Sequence, residues 1–388
     1  HHDQAGGRFS GDEHLSGKSP AQGTELCAVV EYMYSLEKLF GIFGDVSMAD
    51  RLEYLAYNAL PGTMTADGWT HQYDQQSNQV LVSVAERNWS TNRDESNIYG
   101  LMPNYPCCLA NMHQGWPKLV EHMWMATHDK GLIAAVYGPS SVKAMVGKGN
   151  TVVITEETDY PFDGKVVFTI KTDKKLEFPL YLRMPGWADE CSIEYKGKKL
   201  SAAGGETALL NEKWEDGDTI LLDIPFKLRT ERRYNNSISV LRGPLYYSLR
   251  IGKDYSETEM SYRKYDYMGV ADWQISPVTD WNYGLLLDED DPGKNTRVES
   301  HPVSNYPWAD RGDVLWSGEE KGHIIWDKDA PVVLKVQGIK LPGWGMKDNS
   351  AADPPYSPVE TDGEAVELEL VPYGSAKLRI TEFPHVKR

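Results

Sequence analysis

Cysteine is scarce. Four cysteines in 388 residues cannot build a disulfide framework. No run of about 18 apolar residues occurs, which excludes a membrane-spanning helix. No signal peptide is visible at the start. The chain opens at His1-His2-Asp3 without a Met, which fits a removed leader, the end of a tag, or native residues. Positive charge is also short: 40 Lys and Arg stand against 57 Asp and Glu, for a net charge of −17. That balance repels nucleic-acid phosphates and anionic membrane surfaces. It suits a neutral or weakly charged ligand. What the chain does have is aromatic surface, with 12 Trp and 22 Tyr. Aromatic faces stack on sugar rings, and they serve equally as strand residues in a β-rich fold.

The length allows two or three domains, and the texture of the sequence changes along it. Residues 1–128 read as helical with long loops. Over 26–43, Val29, Val30, Met33, Leu36 and Phe40 recur near helical spacing, with Thr24 as the expected N-cap and Gly41 and Gly44 marking the end. Over 47–60, Leu52, Leu55, Ala56 and Leu60 share a face, and Pro61-Gly62 stops it. A third helix is expected over 109–127, kinked or restarted at Pro117. From 129 to 250, alternating runs such as TVVITEET, KVVFTIKT and DTILLDIPF are separated by short turns, the pattern of an antiparallel β-sandwich. A second β-rich sandwich region is expected over 251–388, with PVVLKVQGI and VELELVPYGSAKLRITEF as its strands. Three helices are too few for an independent helical domain, so either they pack on the β region or the chain lacks an N-terminal helical part.

Two short segments carry candidate chemistry: Glu25-Leu26-Cys27 and Cys107-Cys108. Thiolates and a carboxylate are good Zn²⁺ ligands, and four complete a tetrahedron. Residues two apart do not share a helix face, so Glu25 and Cys27 must sit where a helix begins. Adjacent Cys side chains diverge in helix and strand alike, so both reach one metal only in a turn. Pro106 biases Tyr105 toward extended geometry and suits a helix starting just after. A helix from Leu109 would aim its N-terminal dipole at both sulfurs and favour thiolate. Spacing alone leaves inert buried thiols, a vicinal disulfide and a metal site all open. Cys191, on an expected strand, reads as a buried thiol. Upstream, GGRFSGDEHLSG is a Gly-rich loop holding Asp12, Glu13 and His14; such loops place polar groups around ligands or simply turn the chain.

Together, GGRFSGDEHLSG, GTELCAVVEYMYSLEKLF, YNALPGTMTADG and YPCCLANMHQGWPKL, with VPYGSAKLRITEFP near the end, resemble the bacterial β-L-arabinofuranosidases of glycoside hydrolase families 127 and 146. The resemblance spans nearly the whole chain. It implies an α+β fold in which the first part is the C-terminal portion of an (α/α)₆ barrel, followed by two antiparallel β-sandwich domains. It implies Zn²⁺ held by Glu25, Cys27, Cys107 and Cys108. It further implies Cys107 as nucleophile, Glu13 as general acid/base in a shorter loop than some members have, and Tyr73 near the sugar. His14, beside Glu13, is taken as a second sugar-binding candidate. Asn111 also matches the motif and serves equally as a structural residue at the helix start. The implied activity is retaining release of L-arabinofuranose from plant-type arabinose-containing glycans. The alternative is a non-catalytic, zinc-stapled subunit that binds glycans or a partner. The first half of the barrel is not in this sequence, so a missing N-terminal half or a partner chain is expected to complete it. A bacterial periplasmic or extracellular setting is expected over the cytoplasm.

Overall fold

In the computed structural model, the described residues are 1–102, 104–258, 270–317 and 322–387. They form an α+β fold that is mostly β. No helix among them is long and apolar enough to cross a membrane. Strand β1 (Thr24–Glu25) pairs antiparallel with β2 (Asp74–Gln75), setting Glu25 opposite Asp74. Three helices exceed two turns among the described residues: α1 (Leu26–Phe43), α2 (Val46–Tyr54) and α3 (Pro106–His122).

Helix α1 has the expected bounds. Its apolar stripe of Val29, Val30, Met33, Leu36 and Phe40 is buried, and Gly44 follows it with φ +65°. Thr24 does not cap it. It lies in β1, and its hydroxyl donates to the Phe9 carbonyl at 2.8 Å. The second helix is regular only to Tyr54; Leu55–Ala59 widen into a π-helical turn, and Leu60–Gly62 close it. The wide turn holds Asn58, whose amide donates to the Pro244 carbonyl at 2.9 Å and accepts from the Tyr246 N–H at 2.8 Å. Such bulges occur where a side chain is drawn out of the helical repeat. Helix α3 starts at Pro106, three residues before the expected Leu109, because proline fits the first helical position. It ends at His122 rather than 127, since strand β3 (Trp124–Ala126) takes the following residues. Pro117 stands within it.

The chain divides into two compact units and passes between them four times. One unit comprises Met33–Glu53 and Gly115–Lys227. Its strands are β3, β4 (Leu132–Ala134), β5 (Ser140–Val146), β6 (Asn150–Thr158), β7 (Lys165–Lys171), β8 (Leu176–Arg183), β9 (Glu190–Tyr195), β10 (Lys198–Ala203), β11 (Thr207–Trp214) and β12 (Thr219–Asp223). They form a six-stranded sheet, β10-β9-β12-β7-β6-β5, and a four-stranded sheet, β11-β8-β4-β3. All pairs are antiparallel except β4 with β8. Alternate residues such as Val166, Phe168 and Ile170 are buried, as a half-covered strand requires. Rings from the two sheets meet, Trp124 on Phe168 at 5.8 Å and Tyr195 on Trp214 at 5.1 Å, so the sheets pack face to face, in a unit that starts before the expected residue 129, ends at Lys227 rather than 250, and takes in Met33–Glu53. Cys191 is buried in β9.

The other unit gathers His1–Tyr32, Tyr54–Gln114 and Leu228–Arg388. Its main sheet is built from β13 (Leu228–Arg232), β14 (Ile238–Arg242), β15 (Leu245–Leu249), β16 (Tyr283–Leu285), β17 (Arg297–Ser300), β18 (Val332–Lys340) and β19 (Ala365–Pro372). The order is β13-β14-β15-β19-β18-β16, with β17 also pairing β18. Residues 72–79, QYDQQSNQ, are almost wholly polar and yet fully buried. Burial of amides is tolerable only when they are hydrogen-bonded, and the end of the chain supplies partners. Tyr373 donates its hydroxyl to Gln75 at 2.7 Å, Gln79 donates to the Lys377 carbonyl at 2.8 Å, and Asn78 accepts from the Thr381 N–H at 2.9 Å. This frame fixes β2, and β2 fixes β1.

Candidate metal centre and active site

Glu25 is the last residue of β1 and Cys27 the second of α1. Two neighbours hold that junction: the Glu25 N–H donates to the Gly11 carbonyl at 2.8 Å and the Leu26 N–H to the Tyr73 carbonyl at 2.9 Å. Cys107 and Cys108 are the second and third residues of α3. The ligating atoms of Glu25, Cys27, Cys107 and Cys108 all lie within 4.8 Å of one another. Adjacent cysteines thus converge from a first helical turn, with no separate tight turn between them. All four cysteines are free thiols, so no vicinal disulfide forms.

The donor set fits a tetrahedral zinc. Zn–S and Zn–O lengths of about 2.3 and 2.0 Å imply ligand–ligand edges of about 3.8 Å for S–S and about 3.5 Å for S–O. The Cys27 and Cys108 sulfurs are 3.3 Å apart, and the Cys108 sulfur is 3.9 Å from a Glu25 oxygen. Small shifts of side chains would equalise these edges. The proton inventory points the same way. Burial, then the nearby Cys27 charge, pushes the Glu25 carboxyl up to about 8. Cys27 falls to about 6, chiefly because the Cys108 thiol donates to it, with Asn111 adding a further hydrogen bond. Asn111 is oriented by Gln114, which donates to its oxygen at 3.3 Å. The Cys108 thiol is raised because it gives that hydrogen bond to Cys27, and Cys107 is raised by burial and the Cys27 charge. Only one of four crowded acids is readily ionised, which is the state a bound cation would change.

Exposure separates the donors. Cys108 is fully buried, Cys27 is intermediate and Cys107 is exposed. Glu13 is exposed too, and it carries a left-handed backbone, φ +57°, rare for a residue with a Cβ. It lies two residues after Gly11, whose carbonyl accepts from the Glu25 N–H at 2.8 Å, so its loop runs beside the segment that carries Glu25. Tyr73 is buried. Its ring stacks on Tyr105 with centroids 4.0 Å apart, and its hydroxyl accepts from the Asn92 amide at 3.0 Å. His14 is exposed but turned into its own loop, with Nδ1 2.9 Å from the Asp12 carbonyl and Nε2 3.3 Å from the Ser16 hydroxyl.

Three further residues, none of them singled out by motif, stand close to these groups. Asp12 is fully buried beside Glu13. Asn92 joins Asp12 to Tyr73. Asp74 is fully buried opposite Glu25, with neither carboxylate oxygen hydrogen-bonded. Asp12 was visible as a second acid in the Gly-rich loop. Nothing local marks Asn92 or Asp74, whose roles come from long-range pairing.

The fold is that of solved glycoside hydrolases, and a narrower likeness lies within it. Residues 131–226 match the family described as Beta-L-arabinofuranosidase, GH127 middle domain. A GH127 β-L-arabinofuranosidase from Geobacillus stearothermophilus T6 is similar over 98% of this chain and 54% of its own, at 18% identity and a TM-score of 0.61. A GH127 β-arabinofuranosidase matches 99% of this chain and 54% of its own, at 15% identity and a TM-score of 0.65. A protein described only as a glycoside hydrolase matches 96% and 54%, at 17% and 0.60. The chain therefore spans about half the length of these solved structures. No curated protein matches the sequence.

Proposed function

We propose that this chain carries the reacting centre of a retaining glycoside hydrolase acting on β-L-arabinofuranosides of plant-type glycans. One observation carries the reading: among four clustered metal-type donors, Cys107 alone is exposed, so one sulfur can meet a substrate while the others hold the site. Glu25, Cys27, Cys107 and Cys108 would hold Zn²⁺. When bound, zinc keeps the thiols ionised near neutral pH.

The remaining chemistry belongs to side chains. The Cys107 thiolate attacks the anomeric carbon. The bond to the leaving oxygen breaks, its electron pair stays on that oxygen, and Glu13 gives it a proton. A glycosyl-Cys107 intermediate remains. Glu13, now a carboxylate, takes a proton from water as the water attacks the same carbon. The carbon–sulfur bond breaks, the pair returns to sulfur, and two inversions give net retention. Retaining enzymes ordinarily use a carboxylate as nucleophile; here a thiolate takes that place. The helical segment around the site is proposed as the last part of an (α/α)₆ barrel.

Replacing Cys107→Ser should leave a folded chain with no detectable release of the phenol from an aryl β-L-arabinofuranoside, while zinc analysis still finds the metal or a weakened share of it. Turnover at the wild-type rate in that variant would remove Cys107 from the reaction. A second reading is favoured by the half-length match: a zinc-stapled subunit that binds glycans or a partner without catalysis. Zinc bound at one per chain, with no hydrolysis even when the expected N-terminal half is supplied, would select it.

A further inference from the structure

Asp12 is a buried carboxylate next to an exposed one. It has no measurable exposure, yet it sits in a surface loop whose next three residues, Glu13, His14 and Leu15, are exposed. Every polar group of Asp12 is engaged. One carboxylate oxygen accepts from the Thr91 N–H at 2.6 Å, and the other accepts from the Asn92 side-chain amide. Its carbonyl accepts from the Thr91 hydroxyl at 3.2 Å and lies 2.9 Å from the His14 ring nitrogen. Its N–H donates to the His14 carbonyl at 3.3 Å.

These bonds close a frame around β1. On one side, Gly11 bridges Thr24 in parallel. On the other, Tyr73 receives the Leu26 N–H. The Asn92 amide spans both sides, donating to the Asp12 carboxylate and to the Tyr73 hydroxyl, the latter at 3.0 Å. The next residue, Arg93, donates its N–H to the Tyr105 hydroxyl at 3.1 Å, and the Tyr105 ring stacks on Tyr73. Glu13 extends from this frame in a left-handed conformation. Side chains with a Cβ leave that region unless their surroundings hold them there. Charge-assisted hydrogen bonds to a buried carboxylate are the strongest restraint available to such a loop.

We propose that Asp12, through Thr91 and Asn92, is the positioning residue that sets Glu13 toward the zinc-ligand cluster for proton transfer. The proposal deepens the glycosidase reading and rests on it for the role of Glu13. Asp12 itself exchanges no proton with substrate.

The test compares two leaving groups in the full chain. Dinitrophenolate departs without a proton; methoxide needs one. Single-turnover release is measured from 2,4-dinitrophenyl and methyl β-L-arabinofuranosides for wild type, Asp12→Ala and Asp12→Asn, with zinc content measured for each. Asp12→Ala should slow methanol release about 100-fold, the scale of a general acid, while dinitrophenol release changes by less than about threefold and zinc stays at the wild-type ratio. Asp12→Asn, which keeps one acceptor oxygen, should recover part of the loss. Equal slowing of both aglycones, no slowing of either, or loss of zinc in Asp12→Ala would overturn the proposal. If wild type releases neither aglycone, even with the expected N-terminal half supplied, the glycosidase reading fails, and amide hydrogen exchange of residues 11–16 decides the positioning role. Exchange about tenfold faster in Asp12→Ala supports it, and unchanged protection refutes it.

Discussion

Cys27 and Cys108 share one proton across 3.3 Å, and Glu25 holds another up to about pH 8. With Cys107 also raised, binding a divalent cation near neutral pH must expel about three protons. Apparent zinc affinity should therefore climb by about two to three powers of ten from pH 6.5 to 7.5, as read by competition with a chromophoric chelator. The sign follows from the groups: each is an acid whose deprotonated form binds, so lowering the pH weakens the site. Glu25→Gln removes one of the protons and should lower the slope by about one. Affinity independent of pH would show that these four groups are not the ligands. At this scale the sequence was most legible in its candidates: a carboxylate and three thiols in two short segments, left open between a metal site and inert thiols, do come together in the fold. What it hid was orientation. Nothing in the letters shows Cys107 outward and Cys108 inward, or His14 folded back on Asp12.

Among elements, α2 shows how a short helix is fixed within its unit. Arg183 on β8 and Glu53 at the end of α2 form an ion pair with neither side chain exposed, and Asp50 joins it. Arg183 also donates to the Ala135 carbonyl at 2.6 Å, and Tyr160 donates its hydroxyl to Glu53 at 2.5 Å. Removing one member of a buried pair strands the other charge. Arg183→Met, which strands the buried Glu53 beside Asp50, should thus lower unfolding stability in urea by about 3–5 kcal/mol, with a smaller loss for Glu53→Ala, after which Arg183 keeps Asp50. Equal small losses in both would mean the pair is solvated. Apolar periodicity revealed α1 to the residue and the sandwich strands as alternating runs. It failed at 72–79, where polarity suggests surface and the hydrogen bonds of the C-terminal segment permit burial. It also misplaced the start of α3, because the first turn carries Pro-Cys-Cys, which gives no helical period.

For the whole molecule, the unit bearing the candidate site is assembled from three separated stretches, with the sandwich unit completed between the second and third. No local signal in a sequence can reveal such interleaving, since it depends on pairings such as β19 with β15 and β18. All four donor residues lie before residue 109, yet the segment that holds the polar run 72–79 in place comes after residue 372. A ribosome making this chain therefore delivers every ligand long before the frame that converges them. A chain stopped after residue 364 would lack β19, Tyr373, Lys377 and Thr381. It should still give the sandwich unit's protease-resistant core but hold zinc at least about tenfold more weakly than the full chain, because a site that is not preformed spends binding energy on ordering. Equal affinity would mean that the two short segments converge unaided. Weaker binding by the shortened chain would mean that loading of the metal waits until the segment after residue 372 is made, whatever the order in which the donors were made.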